Sequence, residues 1–390
     1  MRILHLQLML STQQLSRIRV IAVTGLLILC GFRIVTVISY AANVLPLGGD
    51  ARSYIAAAKA ILHGQAPIGA NGERYLPEAG SDIPVYLYPP FLALVMIPLA
   101  NLPYPISLYI WLILVAAMTL LLIPLLQRLV GWKAAILGVL FFLPTWESLW
   151  LGQINAMIAI ILMIALLALT QRQDVRLGFI LAIGTLLKVT PALSILILIV
   201  HQRWRSVIIA SVTTLSIIAM SLPFISLDMW YTGSLYALTS TWTSPLLLSW
   251  TAILRRQTGL IGTIGPTVLT IGMLFVTILR SRHLPPRLSL TATFILPLLI
   301  SGIIWHYSAL IVLPALAALW QYSRKGRLIA FTTWTVISLI GGILQPIVLS
   351  LCWCVCCWPK FLGTDEFEPS TRLDPARLPE TSDLCYRKLG

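Results

Sequence analysis

Long apolar runs alternate with short polar intervals along most of the chain. A helix needs about 20 apolar residues to cross about 30 Å of hydrocarbon, and eleven runs reach or approach that length. They lie at 18–40, 86–102, 105–127, 134–149, 155–170, 177–200, 206–226, 258–279, 288–304, 307–323 and 328–351. Because a helix satisfies its own backbone hydrogen bonds in lipid, the pattern predicts an all-α polytopic membrane protein of about 11 transmembrane helices.

The Lys and Arg residues between the runs predict which helix ends face the cytoplasm. The clusters are Arg17/Arg19, Arg128/Lys133, Arg172/Arg176, Arg203/Arg205, Arg280/Arg282/Arg287 and Arg324/Lys325/Arg327. For all of them to lie on one side of the membrane, the number of crossings between neighbouring clusters must be even. This holds only if the run at 86–102 does not cross and the run at 177–200 forms two helices. Prolines bracket the first of these runs, and Lys188 and Pro191 interrupt the second. We therefore expect a break near Lys188 on the outer side and a C-terminal tail outside.

The longest polar interval between the runs, Gly48 to Pro90, concentrates acidic residues. It contains four of the seven carboxylates before position 360, namely Asp50, Glu73, Glu78 and Asp82. In the predicted orientation it is a first extracytoplasmic loop, and the helix formers after Asp50 predict juxtamembrane helices within it. Because most of the carboxylates fall on this one face, the sequence indicates a site for chemistry or binding there.

The amino-acid composition also indicates that most of the chain lies in a lipid bilayer. Of the 390 residues 58% are hydrophobic and 10% are charged, so a soluble domain could not bury the apolar surface. The net charge of +14 does not indicate nucleic acid, because the basic residues lie in short clusters between apolar runs. We predict one transmembrane catalytic domain at 1–351 and a polar, disordered tail at 352–390. The cysteines at 352–357 lack a second ligand pair at zinc-site spacing.

Asp50 directly follows two glycines at the outer end of the first run. A carboxylate in the first turn of a helix is stabilised by exposed N–H groups, so one interpretation is a plain helix cap. The other is a general base, or a ligand for sugar hydroxyls, at the membrane surface. The residues around Asp50 leave both interpretations open.

Several basic residues on the predicted outer face are candidates to bind a phosphate group. Lys188 is the strongest, because a lysine in the middle of an apolar run is costly to keep in lipid. The other candidates are Arg52, Lys59 and the paired Arg255 and Arg256. For the two paired arginines, contact with lipid headgroups is an equal alternative.

Three further segments carry polar side chains on the same face. Gln153 and Asn155 offer amides for sugar hydroxyls, although Asn155 also fits a helix cap. His306 fits either a contact with phosphate or acceptor hydroxyl, or a place in an interfacial aromatic belt. Glu147, between two tryptophans, is a second carboxylate or another belt position.

Five short motifs occur in a fixed order along the chain. They are Asp50-x3-Tyr54, His63-Gly64-Gln65-x-Pro67, Tyr88-Pro89-Pro90-Phe91, Gly152-Gln153-x-Asn155 and Lys188-x2-Pro191. In this order and spacing they resemble glycosyltransferase family 87, over about residues 15 to 325. The resemblance implies a GT-C-like bundle that transfers a hexose, typically mannose, from a polyprenyl-phosphate donor with inversion. Its acceptor would be a glycolipid or glycan, at the extracytoplasmic face of the cell membrane.

The resemblance also implies residue roles. Asp50 would be the catalytic base, and the residues that bind substrate would be Tyr54, Tyr88, Gln153, Asn155 and Lys188. His306 is a further candidate to bind substrate, because it lies on the predicted outer face. The Asp-x-Asp spacing of metal-dependent relatives is absent at Asp50, so we predict no metal and no other cofactor.

A transporter or flippase of a lipid-linked sugar is the alternative from another class. It should place paired ionisable groups near the middle of the membrane, in broken helices of two related halves. Most carboxylates lie at one face instead, and Arg33 and Lys188 are the charges found away from the ends of the runs. This distribution favours surface chemistry on a lipid substrate.

Overall fold

A computed structural model describes residues 12–67, 72–80, 83–230, 247–342 and 344–362. These residues form helices joined by short loops and contain no β-strand, so the predicted all-α class is confirmed. The α-helices are α1 Thr12–Val44, α2 Gly49–Leu62, α3 Gly72–Tyr75, α4 Pro90–Ala100, α5 Tyr104–Val130, α6 Trp132–Leu140, α7 Leu143–Leu151, α8 Asn155–Thr170, α9 Asp174–Leu187, α10 Ala192–Val200, α11 Trp204–Ser221, α12 Trp250–Arg255, α13 Gly259–Ser281, α14 Pro286–Ile300, α15 Leu313–Tyr322, α16 Arg324–Leu339 and α17 Leu344–Cys357. Short 3₁₀ helices lie at Pro77–Ala79, His306–Val312 and Pro359–Leu362.

Within the described ranges, four helices are long and apolar enough to cross a membrane. They are Ser16–Val44, Tyr104–Val130, Trp204–Ser221 and Gly259–Ser281. α6 and α7, which are bent by 55° at a short break, make a fifth span if they cross together. Because several helices could cross, the polytopic class is confirmed, whereas the number of about 11 crossings stays a prediction.

The two interruptions expected from proline and charge are present. α4 has 11 residues, a length of about 17 Å, which is too short for a straight helix to cross about 30 Å of hydrocarbon. The run at 177–200 is split between α9 and α10, with an extended backbone at Lys188 (φ −152°, ψ 131°). Pro191 directly precedes α10, and its ring and missing N–H prevent one continuous helix through this point.

The run at 328–351, predicted as one helix, is instead a helical hairpin. Gly341 and Gly342 have φ values of 58° and 55°, a left-handed conformation that costs glycine little, and they separate α16 from α17. Thr333 Oγ1 on α16 lies 2.9 Å from Cys352 Sγ on α17, and Arg280 Nε donates to the Cys357 carbonyl at 3.1 Å. The tail therefore starts beside Arg280, at the end of the bundle opposite to the one predicted.

The Cys-rich stretch belongs to the helical bundle. α17 continues through the predicted boundary between residues 351 and 352, and Cys352, Cys356 and Cys357 are buried. Helical structure extends to Leu362, so the chain packs beyond the boundary suggested by composition. Residues 363–390 lie outside the described residues, and the disorder of the tail stays a prediction.

The core is built around α8. This helix is buried along most of its length and packs against α5, α9, α14 and α15. α1, α11 and α13 instead expose large apolar side chains, as expected where lipid is the neighbour. The N-terminal end of α8 meets the start of α2, the break after α9 and the 3₁₀ helix His306–Val312, and the candidate site lies at this junction.

Candidate active site

A close approach between α2 and the turn before α8 positions Asp50. Gly48 caps α2 with φ 69°, and its N–H donates to the Trp150 carbonyl at 2.8 Å. Gly152 has φ 67°, and a Cβ atom at this position would lie 2.8 Å from the Cβ atom of Ala51. The absence of a side chain at Gly152 therefore lets the first turn of α2 reach Gln153.

Gln153 connects Asp50 to two tyrosines. Its Nε2 donates to Asp50 Oδ2, and its Oε1 accepts from the hydroxyls of Tyr54 (3.1 Å) and Tyr88 (2.9 Å). Because two hydroxyls donate to the same amide oxygen, the amide nitrogen has to face the carboxylate. Gly48, not Asp50, occupies the cap position of α2, so the geometry does not support the plain helix-cap interpretation of Asp50.

Aromatic rings enclose this network on one side. The ring of Tyr54 makes edge contacts with Tyr88, Trp111 and Tyr86 at centroid distances of 5.2, 5.9 and 6.3 Å. Trp111 Nε1 donates to the Gly152 carbonyl at 2.7 Å, which ties the rings to the turn that carries Gln153. The rings exclude water from one side of Asp50, which strengthens the electrostatic interactions within the site.

Lys188 supplies a positive charge to the site. Its Nζ donates to Asn155 Oδ1 at 2.9 Å and lies 5.6 Å from the centroid of the Tyr88 ring. Asn155 Nδ2 in turn donates to the Tyr307 carbonyl at 3.2 Å, and Ile154 holds the cap position of α8. Asn155 therefore orients Lys188 and does not cap the helix.

The surroundings shift the pKa of both charged groups of the site, which lie outside the candidate spans. Burial raises the pKa of Asp50 to about 6, although hydrogen bonds from Gln153 and Tyr307 and the charge of Lys188 oppose the rise. Burial lowers the pKa of Lys188 to about 8, against the attraction of Asp50. At neutral pH the site therefore holds a carboxylate that accepts protons more readily than usual, beside an ammonium group.

His306 lies next to the site, but its ring does not face Asp50. Its Nδ1 lies 2.6 Å from Glu147 Oε2, and its Nε2 lies 2.9 Å from the Ile337 carbonyl. The adjacent Tyr307 is the residue of this segment that acts on Asp50, and its phenol lowers the pKa of that carboxyl. Tyr307 is not among the residues predicted from the sequence, although its place in Trp305-His306-Tyr307 on the predicted outer face was a usable signal.

The other basic candidates make their described contacts outside the network around Asp50. Arg52 donates to the Ala79 carbonyl at 2.8 Å, and Lys59 pairs with Glu78 at 2.6 Å, so both hold the outer loop together. Arg256 donates to the Leu247 carbonyl at 2.5 Å, and Arg255 packs against Gly302. Lys188, by contrast, has its described contacts with Asn155 and Tyr88, among the residues around Asp50.

The neighbours of Asp50 are hydrogen-bond donors and not further carboxylates. In the part of the chain that the structure describes, no group of three or more His, Cys, Asp or Glu side chains could hold a metal ion. An amide, a phenol and an ammonium group suit a general base, whereas a divalent cation would need additional oxygen ligands. Metal independence stays a prediction.

A model of glycosyltransferase family 87 matches residues 86–349, which is more than half of the chain. The match includes Tyr88, Gln153, Asn155 and Lys188, whereas Asp50 lies before its first residue. No curated protein and no solved structure matches the chain. Its apolar helices and this match have the same implication: the chain belongs to glycosyltransferase family 87 and is a membrane glycosyltransferase.

Proposed function

We propose that the enzyme transfers a hexose, with mannose as the first choice, from a polyprenyl-phosphate donor to a glycolipid or glycan acceptor. The transfer takes place with inversion, at the extracytoplasmic face of the cell membrane, and Asp50 is the general base. One observation carries the proposal: a half-buried carboxylate with a raised pKa lies between the donors Gln153 and Tyr307 and beside Lys188.

Asp50 takes the proton of the acceptor hydroxyl as that oxygen forms a bond to the anomeric carbon of the donor. A sugar hydroxyl is a very weak acid, so the proton moves only as the new bond forms, and the help comes from positioning. A carboxylate with a pKa of about 6 holds the proton better than an ordinary aspartate and remains ionised at neutral pH. The bond from the anomeric carbon to the phosphate oxygen breaks on the opposite face of the sugar.

Lys188 stabilises the leaving group. The electron pair of the broken bond leaves with the polyprenyl phosphate, which needs positive charge but no proton. Asn155 orients the ammonium group, and the adjacent ring of Tyr88 favours its charged form.

Burial divides the expected substrate-binding residues into two groups. Tyr88 and Lys188 are half-buried, so they are the side chains that contact sugar or phosphate directly. Tyr54, Gln153 and Asn155 are buried, and their polar groups already bond one another or Asp50 and Lys188. Their role is to hold the reacting groups in place.

Transfer from radiolabelled polyprenyl-phosphate mannose in membranes tests the proposal. Wild type should label endogenous glycolipid, and Asp50→Asn should lose the activity by about 10²–10⁴-fold at equal protein level, because the base is gone. Glu78→Gln, which changes another acid of the same loop, is the matched control and should stay active. An Asp50→Asn enzyme with wild-type rates would refute the base. A wild type that moves the lipid-linked sugar across vesicles without transferring it would favour the transporter alternative.

A further inference from the structure

A half-buried pair formed by Glu147 and His306 has no part in the chemistry proposed above. Glu147 lies on α7, and His306 begins the 3₁₀ helix His306–Val312. The distance from His306 Nδ1 to Glu147 Oε2 is 2.6 Å, and the two side chains are 16% and 19% exposed. A pair this shielded from water constrains both elements more firmly than a surface ion pair does.

Both partners of the His306 ring are hydrogen-bond acceptors. The Ile337 carbonyl, 2.9 Å from Nε2, can only accept, so Nε2 carries a proton. If Glu147 is ionised, its oxygen also only accepts, and Nδ1 then carries a second proton, which makes the ring an imidazolium. Burial alone lowers the pKa of His306, but the charge and hydrogen bond of Glu147 and the Ile337 carbonyl outweigh it, against the charge of Arg33 on α1, and the net pKa is raised.

The neighbouring residue connects this pair to Asp50. The phenol of Tyr307 acts on Asp50 and lowers the pKa of its carboxyl, whereas the Tyr307 carbonyl accepts from Ser148 Oγ at 3.1 Å and from Asn155 Nδ2 at 3.2 Å. Ser148 directly follows Glu147 on α7. One turn of α7 therefore holds the segment at two consecutive residues, by the ring of His306 and by the backbone of Tyr307.

The hairpin between α16 and α17 confines the ring from another side. A Cβ atom on Gly341 would lie 2.8 Å from His306 Nε2, so this position has no room for a side chain while the ring keeps its place. Ile337, near the end of α16, supplies the carbonyl that Nε2 contacts. The ring thus joins α7, the 3₁₀ helix and the hairpin.

We propose that Glu147 and His306 form an ion pair of positioning residues, which holds the Tyr307 phenol on Asp50, and that neither side chain contacts substrate. The inference rests on the proposed role of Asp50 as the base. With the ring released, the 3₁₀ helix shifts and the phenol leaves the carboxylate. A misplacement of about 1 Å in such a site costs about 10²-fold in rate.

The protonation of the ring is measurable without any substrate. Solid-state ¹⁵N NMR of [¹⁵N]histidine-labelled enzyme in lipid, recorded over a pH series, should show an imidazolium signal that persists above the pH range in which an ordinary histidine titrates. The signal should disappear in His306→Ala and become that of a neutral ring in Glu147→Gln. A neutral His306 ring in the wild type would overturn the ion pair.

Kinetics separate positioning from other roles. Glu147→Ala and His306→Ala should each lower kcat by about 10²-fold with little change in KM, and the double variant should lose no more than either single one. Glu147→Gln should restore most of kcat, because its amide can donate to Nδ1 of a neutral ring while Nε2 still bonds Ile337. Glu78→Gln, which breaks an ion pair of the outer loop, is the control and should match wild type.

Three kinetic results would overturn the positioning role, each in enzyme that elutes as folded protein. They are wild-type kcat in Glu147→Ala, a raised KM with unchanged kcat in His306→Ala, and a Glu147→Gln variant as slow as Glu147→Ala. The last result would mean that the proton or charge of the ring matters more than its place. Wild type without transfer from the lipid-linked donor would count against the proposed function instead, and the NMR experiment would still decide the state of the pair.

Discussion

The side-chain amide of Gln153 donates to the carboxylate of Asp50, and two tyrosine hydroxyls determine which way that amide faces. A hydrogen bond to a carboxylate stabilises its charged form and so lowers its pKa. Gln153 and the phenol of Tyr307 both act in this sense on Asp50, against the effect of burial. The pKa of Asp50 thus results from two opposing effects: burial raises it, and a small number of hydrogen-bond donors lower it.

Removal of the Gln153 amide should make Asp50 a stronger base that is ionised over a narrower pH range. We expect the acid limb of the kcat profile of Gln153→Leu to move above pH 6, because a donor to the carboxylate is lost. The maximal rate should fall by about 10²-fold through misplacement of the carboxylate. Tyr54→Phe, which leaves the amide and Asp50 in contact, is the matched variant and should keep the acid limb. An unchanged limb in Gln153→Leu would show that the amide does not control Asp50.

The wild-type rate should have a bell-shaped dependence on pH. Activity should rise as Asp50 ionises near pH 6, and it should fall as Lys188 loses its proton near pH 8. Initial rates at saturating donor, measured between pH 5 and 9.5 in oriented vesicles, check both limbs. Because the two groups interact, the limbs report the pair and not one residue alone. A flat profile over this range would contradict the assigned base and cation.

The charge of Lys188 should matter more than that of any other basic residue on the candidate face. We expect Lys188→Met to lower kcat/KM by about 10²–10³-fold, because one preorganised charge at the leaving group is lost. The alkaline limb should disappear with it. Lys59→Met, which removes the half-buried partner of the exposed Glu78, is the control and should transfer sugar at the wild-type rate.

The ionised Asp50 carboxylate should lower the free energy of unfolding of the protein. Its folded-state pKa of about 6 lies above the unfolded value of about 4, so ionisation destabilises the folded protein. This cost is complete above pH 6 and absent below pH 4. Asp50→Asn should therefore raise the free energy of unfolding at pH 8 by an amount on the order of 1–3 kcal/mol, and Tm with it, and the difference should shrink as pH falls through 6. Thermal unfolding in detergent at pH 8 and pH 5 measures it, and an equal difference at both pH values would contradict the pKa.

Gly152→Ala should damage both stability and activity. The added methyl group meets the Cβ atom of Ala51 at 2.8 Å, and the φ of 67° disfavours any side chain. We expect a loss of about 1–3 kcal/mol and a lower kcat, because Gln153 is the next residue. Gly272→Ala is the matched control, because nothing lies within 4 Å of its added methyl group. It should leave Tm unchanged or raise it slightly.

The sequence was sufficient to predict those features of the protein that depend on neighbouring residues in the chain. Apolar runs predicted the helical membrane class, because backbone groups in lipid must form their hydrogen bonds within the protein. Lys188 and Pro191 predicted the split between α9 and α10. The order of short motifs predicted the family, which the match to residues 86–349 confirms. Those motifs also named six residues that the structure brings together, namely Asp50, Tyr54, Tyr88, Gln153, Asn155 and Lys188.

Only the tertiary structure decided which way these side chains face and what each one contacts. His306 and Tyr307 are adjacent in the chain, yet one turns to Glu147 and the other to Asp50, because neighbouring residues of a tight helix point in different directions. The pair of Gly341 and Gly342 turned a predicted single helix back on itself, since glycine permits a turn that hydropathy does not record. Contacts between residues 33 to 152 positions apart made the site, and no local pattern encodes such distances.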